Sequence, residues 1–243
     1  MRVRLDVLLV DRGLVASRER ARALILAGLV KVNGTPARKV GESVPMDADI
    51  ALVEPDHPYV GRGGIKLAHA LDVFGIDAHG CHALDIGAST GGFTDVLLRR
   101  GAARVVALDV GRGQIDWKLR SDPRVVVVEG VNARMLTPDQ LPGRFDLVTI
   151  DVSFISLKHI LPVVPPLIPR NAEVVALVKP QFEAGRREVG KGGLVKDPAV
   201  QQRVIDEVVA RASEVGLEHV ETTESPVTGA SGNREFFVHL RRS

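Results

Sequence analysis

Four charged side chains of this 243-residue chain stand where they could meet at one edge of a sheet. Asp151 and Lys179 directly end runs of apolar residues, and Glu235 begins the last such run. If that last strand runs antiparallel, its beginning lies at the edge where the other strands end. Lys66, in the first turn of a predicted helix 65–74, needs only to fold over that edge. Together, two lysines and two carboxylates could take the proton from a hydroxyl group and orient it for attack, although each has an ordinary explanation when taken singly.

A glycine-rich turn lies at the end of an earlier apolar run, residues 82–86. It reads Asp85-Ile-Gly87-Ala-Ser89-Thr-Gly91-Gly92-Phe93. Glycines at such a turn let a ligand approach the backbone and let the next helix begin close to it. The spacing differs from the G-x-G-x-x-G of dinucleotide-binding proteins and from the phosphate-binding loop of ATPases. Asp109, which ends the next apolar run, could accept hydrogen bonds from both hydroxyls of a ribose. The turn and Asp109 together favour a nucleoside cofactor.

Apolar runs of strand length alternate with helical patterns from residue 82 onward, which predicts an α/β fold. Most of these runs lack in–out alternation, as is typical of strands that are buried on both faces of a parallel sheet. We therefore expect one doubly wound domain of seven strands. The predicted strands are 82–86, 104–109, 124–129, 145–151, 173–179, 219–224 and 234–240, and the main helices are 91–100 and 198–215.

The first forty residues differ from the rest of the chain in charge. They hold nine Lys/Arg and three Asp/Glu, although the net charge of the whole chain is +2. Two short helical patterns, the second beginning after Ser17, precede a predicted hairpin turn at Asn33-Gly34. A small basic module of this kind fits the binding of a polyanion, and a solvated helix surface is the alternative for the charge alone.

The same region resembles a known RNA-binding module. The stretches Arg-Leu-Asp-Val-Leu-Leu, Ser-Arg-Glu-Arg-Ala-Arg-Ala-Leu-Ile and Gly-Leu-Val-Lys-Val-Asn-Gly are similar, in this order, to the S4-type RNA-binding domain over about residues 4–53. The resemblance implies that basic side chains of the module contact phosphates. The candidates are Arg4, Arg18, Arg20, Arg22 and Lys31.

The remainder resembles a methyltransferase family. The glycine-rich turn with the residues after it looks like the S-adenosylmethionine motif of the FtsJ-like RNA 2′-O-methyltransferases, and the four charges resemble their Lys-Asp-Lys-Glu tetrad. The contexts narrow the resemblance to the TlyA, or haemolysin-A-type, family. These contexts are Arg62-Gly-Gly-Ile-Lys66-Leu, Asp151-Val-Ser-Phe-Ile-Ser-Leu, Leu-Val-Lys179-Pro-Gln-Phe-Glu and Ser231-Gly-Asn-Arg-Glu235-Phe-Phe.

This resemblance implies a fold and a domain division. We expect a seven-stranded, Rossmann-like, S-adenosylmethionine-dependent methyltransferase domain with a mostly parallel sheet and an antiparallel last strand. A small α+β RNA-binding domain would precede it. The expected division is an RNA-binding domain at 1–54, a linker at 55–63 and the methyltransferase domain at 64–243.

The resemblance also implies a reaction, the methylation of a cytidine ribose at its 2′-hydroxyl in ribosomal RNA. Lys179 is then the candidate base, while Asp151 and Glu235 orient the two lysines and the hydroxyl, and Asp151 also stabilises the sulfonium. Asn132 lies where such domains hold the adenine, with a turn-forming role as the alternative. The expected cofactor-binding residues are Asp85, Gly87, Ser89, Gly91, Gly92, Phe93, Asp109, Asn132 and Asp151.

Three further features have a functional and a structural interpretation each. Phe154 either stacks on an extruded target base or packs in the core. Arg134, beside the cofactor turn, and Arg62 are candidate RNA contacts, and Arg134 could equally be a plain surface residue. The glycine-rich segment 185–195 either orders over the substrate or is simply flexible.

The end of the chain at Ser243 suggests a substrate preference. Longer members of the family add a carboxyl-terminal helix, and the short type is associated with the large subunit alone. We therefore expect large-subunit ribosomal RNA as the main substrate, with the small subunit left open.

Composition excludes several other classes of protein. The single cysteine, Cys81, allows no internal disulfide, and the seven histidines show no metal-ligand spacing, so we expect no metal. No apolar run reaches the ~20 residues of a membrane span, and no signal peptide is apparent, so we expect a cytoplasmic protein. A non-catalytic RNA-binding assembly factor is the main alternative function, and a membrane-lytic protein is a weaker one.

Overall fold

The computed structural model describes residues 2–15, 17–26, 28–37, 39–53, 57–229 and 231–243. The chain divides into two compact units, residues 1–62 and residues 63–243. The predicted linker 55–63 falls partly on residues 54–56, which lie outside the described residues. Each unit has a hydrophobic core of its own, and they are called here the head and the body.

The head is a small α+β unit. Ser17 Oγ accepts a hydrogen bond from the Arg20 N–H at 3.2 Å, as the predicted helix start requires. Asn33 and Gly34 both adopt positive φ and turn the chain into a hairpin. Three further short strands complete the unit, and the sequence pattern did not indicate them. The elements are β1 (Arg2–Arg4), α1 (Leu5–Asp11), α2 (Arg18–Leu26), β2 (Val30–Val32), β3 (Thr35–Pro36), β4 (Ser43–Pro45) and β5 (Ile50–Leu52).

The head's strands form two small sheets. β1 pairs with β4, and β2 pairs with β3 on one side and β5 on the other, all antiparallel. The core beneath them is made by the apolar faces of the two helices. Leu5, Leu8 and Leu9 of α1 and Ala21 and Ile25 of α2 are buried together there.

The body alternates strands and helices as predicted. Its strands are nearly continuous runs of valine, leucine, isoleucine and alanine, and most of their residues are buried. The elements are α3 (Gly63–Phe74), β6 (His82–Ile86), α4 (Gly92–Arg99), β7 (Arg104–Asp109), α5 (Trp117–Arg120), β8 (Val125–Glu129), β9 (Leu147–Ile150), β10 (Glu173–Val178), α6 (Pro180–Glu183), α7 (Pro198–Glu214), β11 (Leu217–Glu224) and β12 (Phe236–Arg242).

These strands form one sheet of seven in the order β11-β12-β10-β9-β6-β7-β8. The five strands from β10 to β8 run parallel, whereas β12 is antiparallel to both of its neighbours. The predicted fold class, including the antiparallel last strand, is therefore confirmed. The carboxyl ends of β6, β7, β9 and β10 share an edge with the beginning of β12, and ligands of open α/β sheets bind at such an edge.

The last strand begins at Phe236, two residues later than predicted, so Glu235 stands just before it at this edge. Within the described ranges, no helix combines the length and apolar character that a membrane crossing needs. In the same residues, no three His, Cys, Asp or Glu side chains cluster in a way that could hold a metal ion.

Candidate active site

Strand pairing brings three of the four predicted catalytic residues to one edge. Val178 of β10 lies opposite Phe236 of β12, so Lys179 and Glu235 are the next pair in that antiparallel register. Asp151 follows Ile150, which pairs with Ala176 of β10. The three residues therefore stand at the ends of adjacent strands.

Lys66 completes the group through a direct contact. Its Nζ donates a hydrogen bond to Glu235 Oε2 at 2.6 Å, and the two side chains are 12% and 3% exposed. A lysine in the first turn of α3 reaches this edge because α3 and α4 begin in close contact. A Cβ on Gly92 would lie only 3.0 Å from the Gly64 backbone nitrogen, so glycines allow the two helix starts to meet.

Lys179 forms a second ion pair, with Asp151. Its Nζ lies 2.5 Å from Asp151 Oδ1 and donates a hydrogen bond to Ser153 Oγ at 2.9 Å. Asp151 Oδ1 is buried and has no aligned hydrogen bond within the described residues, so this contact is ionic. Ser153 was not predicted, although its position two residues after a strand-ending aspartate could have pointed to it.

The four side chains thus form two ion pairs, Lys66–Glu235 and Lys179–Asp151. The two pairs are neighbours because Lys179 and Glu235 face each other in the strand register. Two positive and two negative charges largely cancel, which lets them stay together with little water. The spatial arrangement is the one that the sequence analysis required. A lysine amine held this way is within reach of a hydroxyl bound at the edge, while the carboxylates hold the amines in place.

The glycine turn lies directly against this group. Gly87 has a φ of +87°, and a Cβ there would overlap the Asp151 carbonyl oxygen. The Asp151 N–H donates to the Ile86 carbonyl at 2.9 Å. Only glycine satisfies both the left-handed backbone and the close approach, and this ties the turn to the strand that carries Asp151.

Asp109 is bound to the turn through its carboxylate. The backbone N–H groups of Ser89 and Gly111 donate to its two oxygens, each at 2.7 Å. Ser89 adopts a φ of +48°, which turns its N–H towards Asp109. Each carboxylate oxygen keeps a second lone pair, so Asp109 can still accept hydrogen bonds from a ligand.

Two of the predicted cofactor-binding residues, Asp85 and Phe93, have buried side chains. The Asp85 carboxylate is fully buried and accepts hydrogen bonds from Thr94 Oγ1 at 2.7 Å and Thr149 Oγ1 at 3.0 Å, which fixes α4 to β9 under the turn. Burial raises the pKa of Asp85 to about 7, against the effect of these hydroxyls. Phe93 is also buried and packs against Phe237, with ring centroids 6.0 Å apart. Neither side chain is open to a ligand.

Asn132 and Arg134 are exposed beside the carboxyl end of β8. Asn132 Oδ1 accepts the Arg134 N–H at 3.0 Å and so begins a short 3₁₀ turn, Ala133–Met135. The turn-forming role is therefore present for Asn132, and its side-chain amide group remains available to a ligand. The Arg134 side chain extends from the same turn into solvent.

Phe154 is not a core residue. Its side chain is 92% exposed and its φ is +64°, a strained value for a bulky residue. Its ring lies 5.1 Å from that of Phe182. Glu183 anchors the loop by accepting hydrogen bonds from Ser156 Oγ at 2.5 Å and from a backbone N–H at 2.7 Å. Burial raises the pKa of Glu183. The Phe154 ring is thereby held out to solvent, four residues after Ile150, beside the half-buried Phe182.

In the head, several predicted RNA contacts gather around one buried acid. Asp6 is fully buried and binds the guanidinium groups of Arg4 at 2.9 Å and Arg18 at 2.8 Å. These hydrogen bonds lower the pKa of Asp6 to about 2. An open cavity of about 370 Å³ lies beside them and is lined by Arg4, Asp6, Arg18, Glu19, Arg22 and Val40.

The remaining predicted RNA contacts of the head are more scattered. Lys31 is half-buried on β2, Arg20 is half-buried on α2, and Arg62 is exposed at the end of the unit.

Comparison with known proteins finds two family models that match successive parts of the chain. An FtsJ-like methyltransferase model matches residues 59–242, and an S4 domain model matches residues 3–50. A curated relative from Mycobacterium tuberculosis (strain ATCC 25618 / H37Rv), named 16S/23S rRNA (cytidine-2′-O)-methyltransferase TlyA, is 50% identical over 241 residues, which cover 99% of this chain and 90% of the relative.

Two solved structures bear on the fold. A hemolysin-type protein from Streptococcus thermophilus has a TM-score of 0.78 and 42% identity, and the match covers 100% of this chain and 89% of that one. An S-adenosylmethionine-dependent methyltransferase from Mesorhizobium loti has a TM-score of 0.55 at 15% identity, over 72% of this chain and 96% of that one. The second likeness shows the fold alone.

Proposed function

Because this chain belongs to the FtsJ-like methyltransferases, and within them to the TlyA family, we propose that it methylates the 2′-hydroxyl of a cytidine in ribosomal RNA with S-adenosyl-L-methionine as methyl donor. The observation that carries the proposal is the group of two lysine–carboxylate pairs beside the glycine turn. Such a group has a clear use in taking a proton from a weakly acidic hydroxyl. A purely RNA-binding assembly factor has no need of it.

The turn has the chemistry that S-adenosylmethionine requires. Asp109 can accept hydrogen bonds from the two ribose hydroxyls, and the exposed Asn132 amide suits the adenine. The start of α4 at Gly92 offers backbone N–H groups to the carboxylate of the amino-acid part. When bound, this cofactor supplies an electrophilic methyl group on a sulfonium, and the backbone of Asp151 lies against the same turn.

The chain's own residues then prepare the nucleophile. Lys179 first releases one proton from its ammonium group to solvent, and the neutral amine then accepts the proton of the ribose 2′-hydroxyl on its Nζ as the oxygen attacks the methyl group. Asp151 and Ser153 hold that nitrogen in place, while Glu235 and Lys66 fix the opposite side of the pocket. Most of the rate enhancement comes from holding the hydroxyl in line for attack, because no covalent bond to the protein is needed.

The RNA would be held at two sites. In the head, phosphates would bind at the cavity lined by Arg4, Arg18 and Arg22, with further contacts from Arg20, Lys31 and Arg62. In the body, Arg134 provides a cation near the cofactor turn. Phe154 gives an exposed ring three residues after Asp151, on which a base turned out of its helix can stack. A ribosomal substrate implies a cytoplasmic location.

The test is transfer of a tritiated methyl group from S-adenosylmethionine to ribosomal subunits that lack the modification, followed by mapping of the labelled nucleotide. We expect one 2′-O-methylated cytidine, with the large subunit as the main substrate, and both subunits are assayed in parallel. The name of the M. tuberculosis relative includes both 16S and 23S RNA. Label on neither subunit would contradict the enzymatic function and favour the assembly factor.

A further inference from the structure

The glycine-rich segment 190–195 is fastened to the rest of the body by two buried amide side chains. Asn233, in the turn before β12, and Gln201, on α7, are 2% and 5% exposed. Both bind the backbone of Val195: Asn233 Oδ1 accepts its N–H at 2.9 Å, and Gln201 Nε2 donates to its carbonyl at 2.8 Å. The segment is thus held from two sides, by different parts of the chain.

Asn233 makes more contacts than this single bond. Its Nδ2 donates to the Gly193 carbonyl at 2.8 Å and to Ser231 Oγ at 3.1 Å. One oxygen and one amide nitrogen therefore bind three partners in a region with little water. Leaving such buried backbone groups without a partner is costly, so the arrangement has one strongly preferred geometry.

The same residue shapes the turn around Glu235. The Asn233 carbonyl accepts the Gly229 N–H at 2.9 Å, and the Ser225 N–H donates to the Glu235 carbonyl at 2.9 Å. A Cβ on Gly229 would overlap Glu235 Oε1, so the turn closes directly on the carboxylate. The other oxygen of that carboxylate, Oε2, holds Lys66.

We propose that Asn233 is a positioning residue for Glu235: by locking segment 190–195 onto the turn before β12, it sets the place of the Glu235 carboxylate and thereby of Lys66. This inference rests on the proposed methyl transfer, in which both side chains take part. Asn233 touches neither substrate nor cofactor and acts through Glu235. A displacement of a few tenths of an ångström at Glu235 would misalign the pocket that holds the hydroxyl.

Gln201 provides the matched control. It is a buried amide of similar size, and it binds the same residue of the same segment. Within the described residues, it forms no hydrogen bond with residues 229–235. Asn233→Ala and Gln201→Ala each free one side of Val195. Loss of anchoring alone would lower the rate of each variant in step with its thermal midpoint, whereas positioning of Glu235 would lower the rate of Asn233→Ala beyond what its thermal midpoint accounts for.

The experiment compares single-turnover methyl transfer, the KM for RNA, the Kd for S-adenosylmethionine and the thermal midpoint of both variants with the unmodified chain. We expect Asn233→Ala to lower the rate by about 10-fold or more, with KM and Kd within about 2-fold, while Gln201→Ala stays within about 2-fold in rate. In a Glu235→Gln background, Asn233→Ala should cause little further loss, because both changes then act on the same group.

Equal rates for Asn233→Ala and Gln201→Ala, or a full additional loss in the Glu235→Gln background, would overturn the proposal. If Asn233→Ala does not fold, Asn233→Asp takes its place, since it keeps the shape and the acceptor for Val195 and removes only the two donations by Nδ2. Its rate should also fall below that of Gln201→Ala. Failure of the unmodified chain to transfer any methyl group would instead contradict the proposed function.

Discussion

The head and the body both contain basic side chains held by buried carboxylates, but they expose them differently. In the head, Asp6 is buried while its partners Arg4 and Arg18 keep side chains 54% and 56% exposed. In the body, Lys179 and Lys66 are withdrawn from water together with Asp151 and Glu235. The positive charges of the head are thus fixed but open to solvent, whereas those of the body are enclosed together with their carboxylate partners.

Asp85 adds a third case, a buried carboxylate that pairs with no cation among the described residues. Its partners are the hydroxyls of Thr94 and Thr149. Burial raises the pKa of Asp85 to about 7, whereas the arginines lower the pKa of Asp6 to about 2. Burial raises the pKa of both carboxyl groups, and the partner decides the direction of the net shift.

The largest effect is expected from breaking an enclosed pair. Lys179→Ala removes the proposed base, and we expect the methyl-transfer rate to fall by about 10² to 10⁴-fold with the Kd for S-adenosylmethionine nearly unchanged. The matched control is Lys158→Ala, which removes the Lys158–Glu207 pair, an ion pair of the same 2.5 Å length that is about one-third exposed. Its rate should stay within about 2-fold. Normal turnover by Lys179→Ala would contradict the assignment of the base.

The second prediction concerns stability and compares Asp85 with Asp6. Folding raises the pKa of Asp85, so the folded state keeps this proton to a higher pH than the unfolded state does. The free energy of unfolding therefore falls as the pH rises from about 4 to about 7. Asp85→Asn should flatten this slope and make the body more stable relative to the unmodified chain at pH 8 than at pH 5, by roughly 1–4 kcal/mol. Denaturant unfolding at both pH values measures the difference.

For Asp6, the same experiment should show the opposite dependence of stability on pH. Its lowered pKa contributes stability above about pH 4, and this contribution is lost as the pH falls towards 2. Asp6→Asn should therefore be most harmful near neutral pH and nearly harmless in acid. The same direction of pH dependence at both positions would show that the two carboxyl environments do not differ as described.

The smallest effect is expected from an exposed charge of the head. Arg18→Ala should weaken RNA binding by roughly 3- to 10-fold and reduce the slope of log K against log salt by about 1, with the rate at saturating RNA unchanged. The control is Arg104→Ala, an exposed arginine at the start of β7, at the edge of the sheet opposite the candidate site. An unchanged slope of log K against log salt for Arg18→Ala would show that this residue does not contact RNA phosphates.

Much of this architecture could be predicted from local patterns. The continuous valine and leucine runs gave the seven strands, because a strand buried on both faces has no polar side to show. Positions 151, 179 and 235 could be placed at one edge because parallel strands end together. Side-chain direction could not be predicted in this way: Asp85 and Phe93 lie in the glycine-rich turn, and only the structure shows that their side chains are buried.

The sequence by itself determined the order of strands and helices, the basic head and the residue types at the edge of the sheet, because these follow from periodicity and composition over short windows. Only the tertiary structure decided that Lys66 reaches Glu235, that Ser153 holds Lys179 and that Asn233 joins segment 190–195 to the turn before β12. Partners such as Lys66 and Glu235 are 169 residues apart in the chain. Their contact depends on how whole helices and strands pack, and no local pattern encodes it.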